Sequence, residues 1–328
     1  MIISRTPFRI SFFGGGTDFP EFYREHGGAT LLTTINKYCY ISLHSIRPYF
    51  SYRYRASYIK SETVNSPSDF SHPLIRETLL YVRPPGGLEI THISDLPART
   101  GMGTSSSFTV GLLHALHAMR HDRISPEDLA REGILIERKK VGDSGGHQDQ
   151  YAVAYGGLLC LHFNKNSEVD VQRLALRSGR IHELENHLLL LYTGVEQSSE
   201  SILKQQKKRT AQNNKTLLEM LGIVHEAENI LKHDRDISQF GRLLHETWML
   251  KKTLARCISN SDIDDLYNAA RKAGALGGKL LGAGGRGFLL IFAPPERHPQ
   301  IIRKLRRLKP VPFSFSMEGS RIIFQSPE

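Results

Sequence analysis

The sequence predicts an α/β protein of two domains. Three observations carry that reading. At 328 residues the chain is long enough for two cores. Its first half alternates short β-branched or aromatic runs with helical periods, and from about Asn164 the pattern shifts toward long helices. That shift puts the boundary near residue 175, dividing residues 1–175 from residues 176–328.

Arg9 to Phe13 alternates and reads as a short strand. It runs into Gly14-Gly15-Gly16-Thr17-Asp18, a turn that exposes backbone, with Asp18 and Pro20 placed to start a helix through Tyr23. Ala29 to Leu43 reads as two strands with a turn near Asn36. Tyr52, Tyr54 and Tyr58 alternate with Arg53 and Arg55, which suits a half-buried strand with solvated arginines more than a base-stacking surface. Pro73 to Val82 is expected as a helix, Leu88 to Ile93 as a strand, and Ser105 to Arg120 as a helix. Ser125 caps the next helix with Pro126 in its first turn; it continues to about Lys140 and carries Glu132 and Glu137. Val141 to Gly157 is a glycine loop, a polar cluster and a short helix closed by glycines.

Leu188 to Tyr192 is short enough for a buried strand. Helical periods cover Gln197 to Thr210, Thr216 to Lys232, Ile237 to Ile258 and Asp262 to Ala273. A second glycine-rich stretch, Gly274 to Gly287, precedes the strand Phe288 to Phe292. A basic amphipathic helix, His298 to Leu308, and closing strands at Val311 to Phe315 and Arg321 to Phe324 complete the chain.

A net charge of +10 suits anionic partners without choosing among nucleotides, sugar phosphates, nucleic acid and a membrane surface. Cys39, Cys160 and Cys257 lie far apart, which argues against a disulfide framework or a zinc site and fits a reducing compartment. The N-terminal stretch meets glycines before it forms a signal-type apolar region, and no run reaches the ~18 apolar residues of a membrane span. A cytoplasmic protein, not bound to membrane, is the expectation.

The stretch Leu96 to Phe108, LPARTGMGTSSSF, is built to hold an anion. Small residues let the backbone come close, hydroxyls donate, and the free N–H groups of a helix start favour negative charge. A glycine–serine turn that merely caps a helix is the plainer alternative. Gly282-Ala283-Gly284-Gly285-Arg286-Gly287 matches G-x-G-x-x-G, yet here a helix is expected before the motif and a strand after it. That order is the reverse of what dinucleotide binding requires. No segment fits G-x-x-x-x-G-K-[ST], so a Walker-type loop is excluded.

Together TPFRISFFGGGTDFP, LPARTGMGTSSSF and GALGGKLLGAGGRGF, in this order, resemble the three motifs of the GHMP small-molecule kinases. Within that family the chain resembles the branch acting on D-glycero-D-manno-heptose 7-phosphate, through TINKYCYI, SSSFTVGLLHAL, IERKKVGDSGGHQDQYAVAYGG and LLLYTG. The resemblance runs from about Arg5 to Phe292. It implies a ribosomal-protein-S5-like N-terminal domain, a ferredoxin-like C-terminal domain, and ATP and Mg²⁺ at a site between them. It implies phosphorylation of the anomeric hydroxyl, giving a heptose 1,7-bisphosphate for nucleotide-activated heptose used in surface glycans. It leaves a homodimer open.

Carried over residue by residue, the resemblance assigns ATP binding to Arg99, Gly101, Met102, Gly103, Thr104, Ser105 and Ser106. Ser105 and Glu137 would serve the metal, as one hydroxyl and one carboxylate suit Mg²⁺. Asp149 corresponds to the candidate catalytic base and Arg9 to the basic residue that would hold it ionised. Gly15, Gly16, Thr17 and Asp18 would hold the sugar. A solvent-facing Glu137 and a purely structural Arg9–Asp149 ion pair are the alternatives without the resemblance. Met102 stands where leucine is usual and Arg286 where glycine is usual; Arg286 is a candidate for a substrate phosphate. Arg47, Arg53, Arg55 and Arg99 are further candidates to read the sugar phosphate.

Two rivals remain. One is a kinase of an unphosphorylated sugar such as fucose, galactose or free heptose. The other, a nucleic-acid-binding protein, rests on the net charge and the Lys204–Lys208 and Arg303–Lys309 runs, but has no need of Asp18, Glu137 and Asp149. A catalytically silent sugar sensor would have no need of an intact Arg9–Asp149 pair. The expected partners are therefore a sugar phosphate and ATP, not nucleic acid.

Overall fold

The computed structural model describes residues 1–194, 200–255 and 257–326. Strand β1 (Ile2–Phe13) enters the triple-glycine turn and α1 (Pro20–His26), and β2 (Gly28–Ile46) returns antiparallel to β1. The hairpin of β3 (Tyr54–Ser57) and β4 (Ser61–Val64) precedes α2 (Pro73–Val82), and β5 (Gly87–Ser94) feeds α3 (Thr104–Met119). Next, α4 (Pro126–Ile134) passes into a π-helical segment, Leu135–Lys140, followed by α5 (Gln148–Tyr155), β6 (Leu158–Phe163) and β7 (Val169–Arg173). The second half holds α6 (Ser178–Asn186), β8 (Leu188–Tyr192), α7 (Glu200–Lys208), α8 (Asn214–Lys232), α9 (Ser238–Leu254) and α10 (Ser261–Lys272). It ends with β9 (Gly277–Leu280), β10 (Phe288–Phe292), α11 (His298–Lys304), β11 (Lys309–Pro310), β12 (Phe315–Ser316) and β13 (Arg321–Gln325).

Among the described residues the strands form two sheets. The larger follows β13-β1-β2-β5-β3-β4, with β6 and β12 also on β2 and β7 on β6; the smaller is β11-β8-β10-β9. α3 is apolar on nearly every side and accordingly lies buried against β1 and β2. A close approach at Gly111 lets Ser4 Oγ donate to its carbonyl at 2.7 Å. Phe240 of α9 joins the halves: its ring meets Phe13 edge-on at 4.9 Å and lies 5.8 Å from Phe292 of the smaller sheet. That apolar junction fixes β1 and its glycine turn relative to the smaller sheet, whose β9 and the loop after it face the same cavity as the turn.

Several local expectations change. The turn near Asn36 is a bulge inside one long strand: Pro7 pairs with Tyr38 and Phe8 with Ile35, so two extra residues bow out of β2. Asn36 is taken up instead by Ser314, whose carbonyl accepts from Asn36 N and whose N–H donates to Asn36 Oδ1, both at 2.9 Å. On either side of the bulge β2 changes neighbour, from β6 to β5. α1 is capped at Phe19, not Asp18, whose carboxylate is turned inward. Val311 to Phe315 is not one strand: the pairing on β8 comes just before it, in β11, and the pairing on β2 begins only at Phe315, in β12. The glycine-rich stretch contains β9, so the G-x-G-x-x-G segment lies between two antiparallel strands; without a helix after it, it still cannot present a helix N-terminus to a pyrophosphate. The sequence pattern assigns no element to β4, β6, β7 or α6. Residues 197–199 of the expected Gln197–Thr210 helix and residue 256 of the Ile237–Ile258 helix lie outside the described residues.

Candidate active site

One cavity of about 950 Å³ receives the triple-glycine turn, the Leu96–Gly103 loop, the start of α3 and the Gly282 loop. Gly103 caps α3 in the left-handed region with φ +72°, and among the described residues no side chain caps that helix start. The first-turn N–H groups are thus left for an anion, beside the Thr104, Ser105 and Ser106 side chains that line the cavity. The loop is held from two sides. Arg9 N donates to Met102 O at 3.0 Å and Arg9 Nη1 to Gly101 O at 2.7 Å. On the other side the Gly282 loop crosses it backbone to backbone: a Cβ on Gly101 would lie 2.4 Å from Leu281 O, and one on Gly282 would lie 2.3 Å from Gly101 Cα. Both positions have φ near +75°, so the crossing needs glycine twice over.

Arg9 and Asp149 meet as a two-pronged pair, Nε to Oδ1 at 2.7 Å and Nη2 to Oδ2 at 2.6 Å. The strand β1 supplies the arginine and the first turn of α5 the aspartate. Asp18 is buried beside them and accepts from Gly16 N at 2.9 Å and Gln148 N at 3.2 Å. Burial pushes its carboxyl above the usual range; the Gly16 N–H opposes this and neighbouring Asp149 adds to it. Space for Asp18 exists because residue 146 is glycine: a Cβ there would fall 2.0 Å from Asp18 Oδ2. Gln148 is fixed in turn by Ser11 Oγ, which donates to its Oε1 at 2.7 Å.

Glu137 lies in the π-helical segment, where Val141 N reaches back five residues to Ile136 O. It is not solvent-facing but 1% exposed, directed at the start of α3. Its Oε2 accepts from Ser105 Oγ and Ser106 Oγ at 3.2 Å each, and Arg138 stands 3.6 Å away. Burial raises its pKa, with Arg138 opposing. Among the described residues its buried Oε1 has no hydrogen-bond partner. A carboxylate oxygen kept free beside a serine hydroxyl, at the mouth of an anion-holding loop, fits a hard divalent cation.

Not every expected residue faces the cavity. Thr17 turns away: it is fully buried, and its hydroxyl bonds the carbonyls of Gly14 and Ala29 at 2.8 Å each. Met102 places its side chain in the core and offers the site only backbone. Arg286 is not among the cavity residues, nor are Arg47, Arg53 and Arg55; of the candidate phosphate readers only Arg99 is, and it belongs to the Leu96–Gly103 loop. Gly15, Gly16, Asp18, Gly101, Gly103 and Asp149 all line it.

Two groups were missed. The first is an aromatic shelf at one end, where the His72 and His92 rings lie 5.3 and 5.1 Å from Phe108. Burial holds His92 neutral, lowering it to about 4. The second is a pair of buried lysines, Lys251 of α9 and Lys279 of β9. Lys251 was legible in principle: it falls three residues after Trp248 and seven after Leu244, on the helix face that is otherwise apolar.

The sequence model of the family described as "GHMP kinases N terminal domain" matches residues 73–157, and that described as "GHMP kinases C terminal" matches residues 227–310. The chain is 26% identical over 334 residues to a D-glycero-alpha-D-manno-heptose 7-phosphate kinase of Campylobacter jejuni, covering 97% of each. It is 26% identical over 263 residues to a mevalonate kinase of Methanocaldococcus jannaschii, covering 76% of this chain and 77% of that one. Among solved structures, a D-glycero-D-manno-heptose 1-phosphate kinase from Bacteroides thetaiotaomicron superposes with a TM-score of 0.81 at 26% identity, over 100% of both chains.

Proposed function

We propose that this chain, which belongs to the GHMP kinase family and shares its two-domain fold, transfers the γ-phosphoryl group of ATP to the anomeric hydroxyl of D-glycero-D-manno-heptose 7-phosphate. The observation that carries the reading is one cavity holding the Arg9–Asp149 pair, buried Asp18 and the open start of α3. The heptose 7-phosphate kinase similar over 97% of both chains supports the choice of sugar. The product would serve nucleotide-activated heptose for surface glycans. Among the described residues no helix is long and apolar enough to cross a membrane. The same reading places a division near residue 175, with β12 and β13 at the end of the chain returning to the larger sheet.

The N–H groups of Gly101 to Ser106 hold the nucleotide phosphates, and the flat base rests against the His72–Phe108–His92 shelf. Ser105 and Glu137 would hold Mg²⁺, which when bound would supply charge neutralisation on the nucleotide phosphates. Asp18, with the backbone of Gly15 and Gly16, orients the sugar. Asp149 accepts the proton of the attacking hydroxyl, and the Arg9 fork keeps that carboxylate aimed.

The test is ADP release with Mg²⁺ and a panel of acceptors: heptose 7-phosphate, heptose 1-phosphate, free mannoheptose, fucose and galactose. The reading requires the highest kcat/KM on the 7-phosphate. A preference for a free sugar would keep the kinase and move the substrate.

A further inference from the structure

Lys251 and Lys279 bring two amine side chains to the cavity wall, 5% and 2% exposed, and burial together with Lys251 pushes Lys279 well below the usual lysine range. Neither makes an ion pair among the described residues. Lys279 Nζ donates to Phe12 O at 2.9 Å, tying β9 to the back of β1. Lys251 Nζ donates to Gly282 O, on the loop that crosses the nucleotide loop at Gly101. Gly101 O in turn holds Arg9 Nη1. Each of the two crossed glycine loops therefore holds a cation by a carbonyl, one from β1 and one from α9.

The charged groups that act on Lys251 are Arg9, Asp18 and Asp149; Lys279, itself lowered by Lys251, and Glu200 of α7 line the same cavity. Arg9 is engaged by Asp149, and Asp18 by backbone N–H groups. Lys251 is left beside the acidic pair without a carboxylate of its own. A buried cation in that state is costly, and burial and Arg9 lower it to about 8. An anion arriving between the nucleotide loop and Asp149 would relieve that cost.

We propose that Lys251 is a further catalytic residue, which together with Arg9 carries the negative charge of the phosphoryl group as it passes from nucleotide to acceptor. The inference rests on the kinase chemistry and not on which sugar accepts. In the step the bond from the γ-phosphorus to the β–γ bridging oxygen breaks and ADP leaves with the electron pair. The acceptor oxygen forms the new O–P bond, its proton passes to Asp149, and Lys251 keeps its protons throughout.

The decisive variant is Lys251→Gln, which keeps an N–H donor for Gly282 O but has no charge. Removing one such preorganised donor from developing charge lowers kcat by about 10²–10³, and the KM for ATP should stay within about threefold. Independently of turnover, and without any acceptor, calorimetry compares Mg·ADP with Mg·ADP plus tetrafluoroaluminate. The variant should bind Mg·ADP as the wild type does and lose at least about tenfold on the fluoroaluminate complex. In the wild type kcat/KM for ATP should fall as pH rises through about 8, where the free amine loses its charge, and that limb should vanish in the variant. Wild-type turnover by Lys251→Gln, or a parallel loss of Mg·ADP binding and melting temperature, would make Lys251 a strut and overturn the proposal. Should heptose 7-phosphate prove a poor acceptor, the fluoroaluminate comparison still decides the role of Lys251.

Discussion

Replacing Gly282 with alanine drives a methyl group into the backbone of the Leu96–Gly103 loop. The new Cβ would lie 2.3 Å from Gly101 Cα, whereas ordinary contact begins at 3.4 Å, so the crossed loops must part by about 1 Å. The φ of +73° adds roughly 1–2 kcal/mol of backbone strain for an L-residue. No flexible side chain is there to give way; the obstacle is main chain. Displacing a reacting group by about 1 Å costs on the order of 10² in rate, so kcat/KM for ATP should fall about 100-fold or more. Steady-state kinetics, nucleotide calorimetry and thermal melting together check this. Gly222→Ala is the control: Gly222 is exposed on α8 with nothing within 4 Å of its added Cβ, so that variant should keep full activity and gain about 0.5–1 kcal/mol of helix stability. Normal nucleotide affinity and rate in Gly282→Ala would refute the idea that the crossing positions the phosphates.

Three further outcomes follow from the site. Asp149→Asn should lower kcat by about 10²–10⁴ while leaving nucleotide binding near the wild-type value; a loss of binding alone would point to a structural ion pair instead. Thr17→Val should destabilise the protein by about 1–3 kcal/mol, because two buried carbonyls lose their shared donor, yet leave the acceptor KM unchanged; a large rise in KM with a normal melt would return Thr17 to the sugar site. Asp18 has its pKa raised on folding, so its contribution to stability is full below the ordinary carboxylate value and is lost as pH rises through the higher folded value. Denaturant melts of the free protein should accordingly show Asp18→Asn gaining on the wild type as pH rises, and parallel stability curves would contradict that assignment.

Local chemistry was the legible part. Pro73 and the Ser125–Pro126 pair announced their helices, and Ser125 Oγ does accept from Asp128 N at 3.1 Å. The spacing of Arg9, Gly101 and Asp149 said nothing of distance in space; only the motif resemblance placed them in one site. What stayed hidden depends on long-range packing. Asn36 looks like a turn residue until Ser314, from the far end of the chain, takes up its backbone. The run Gly277–Leu280 reads as loop, but β10 supplies a partner strand. Lys251 resembles its neighbour Lys252, which pairs with Asp264 at 3.1 Å, until the fold buries one and leaves the other at the rim. Thr17 sits in a motif whose neighbours face the cavity, while its own hydroxyl is spent on two carbonyls behind the turn.

The measurement that bears most directly on the proposed reaction is phosphorus NMR of the purified protein with Mg·ATP and heptose 7-phosphate, run beside heptose 1-phosphate, free mannoheptose, fucose and galactose. A new anomeric phosphate signal, coupled to H1 and growing with ADP only when the 7-phosphate is present, is the predicted result. A phosphate appearing at C7 of the 1-phosphate, or at C1 of an unphosphorylated sugar with none on the 7-phosphate, would contradict it.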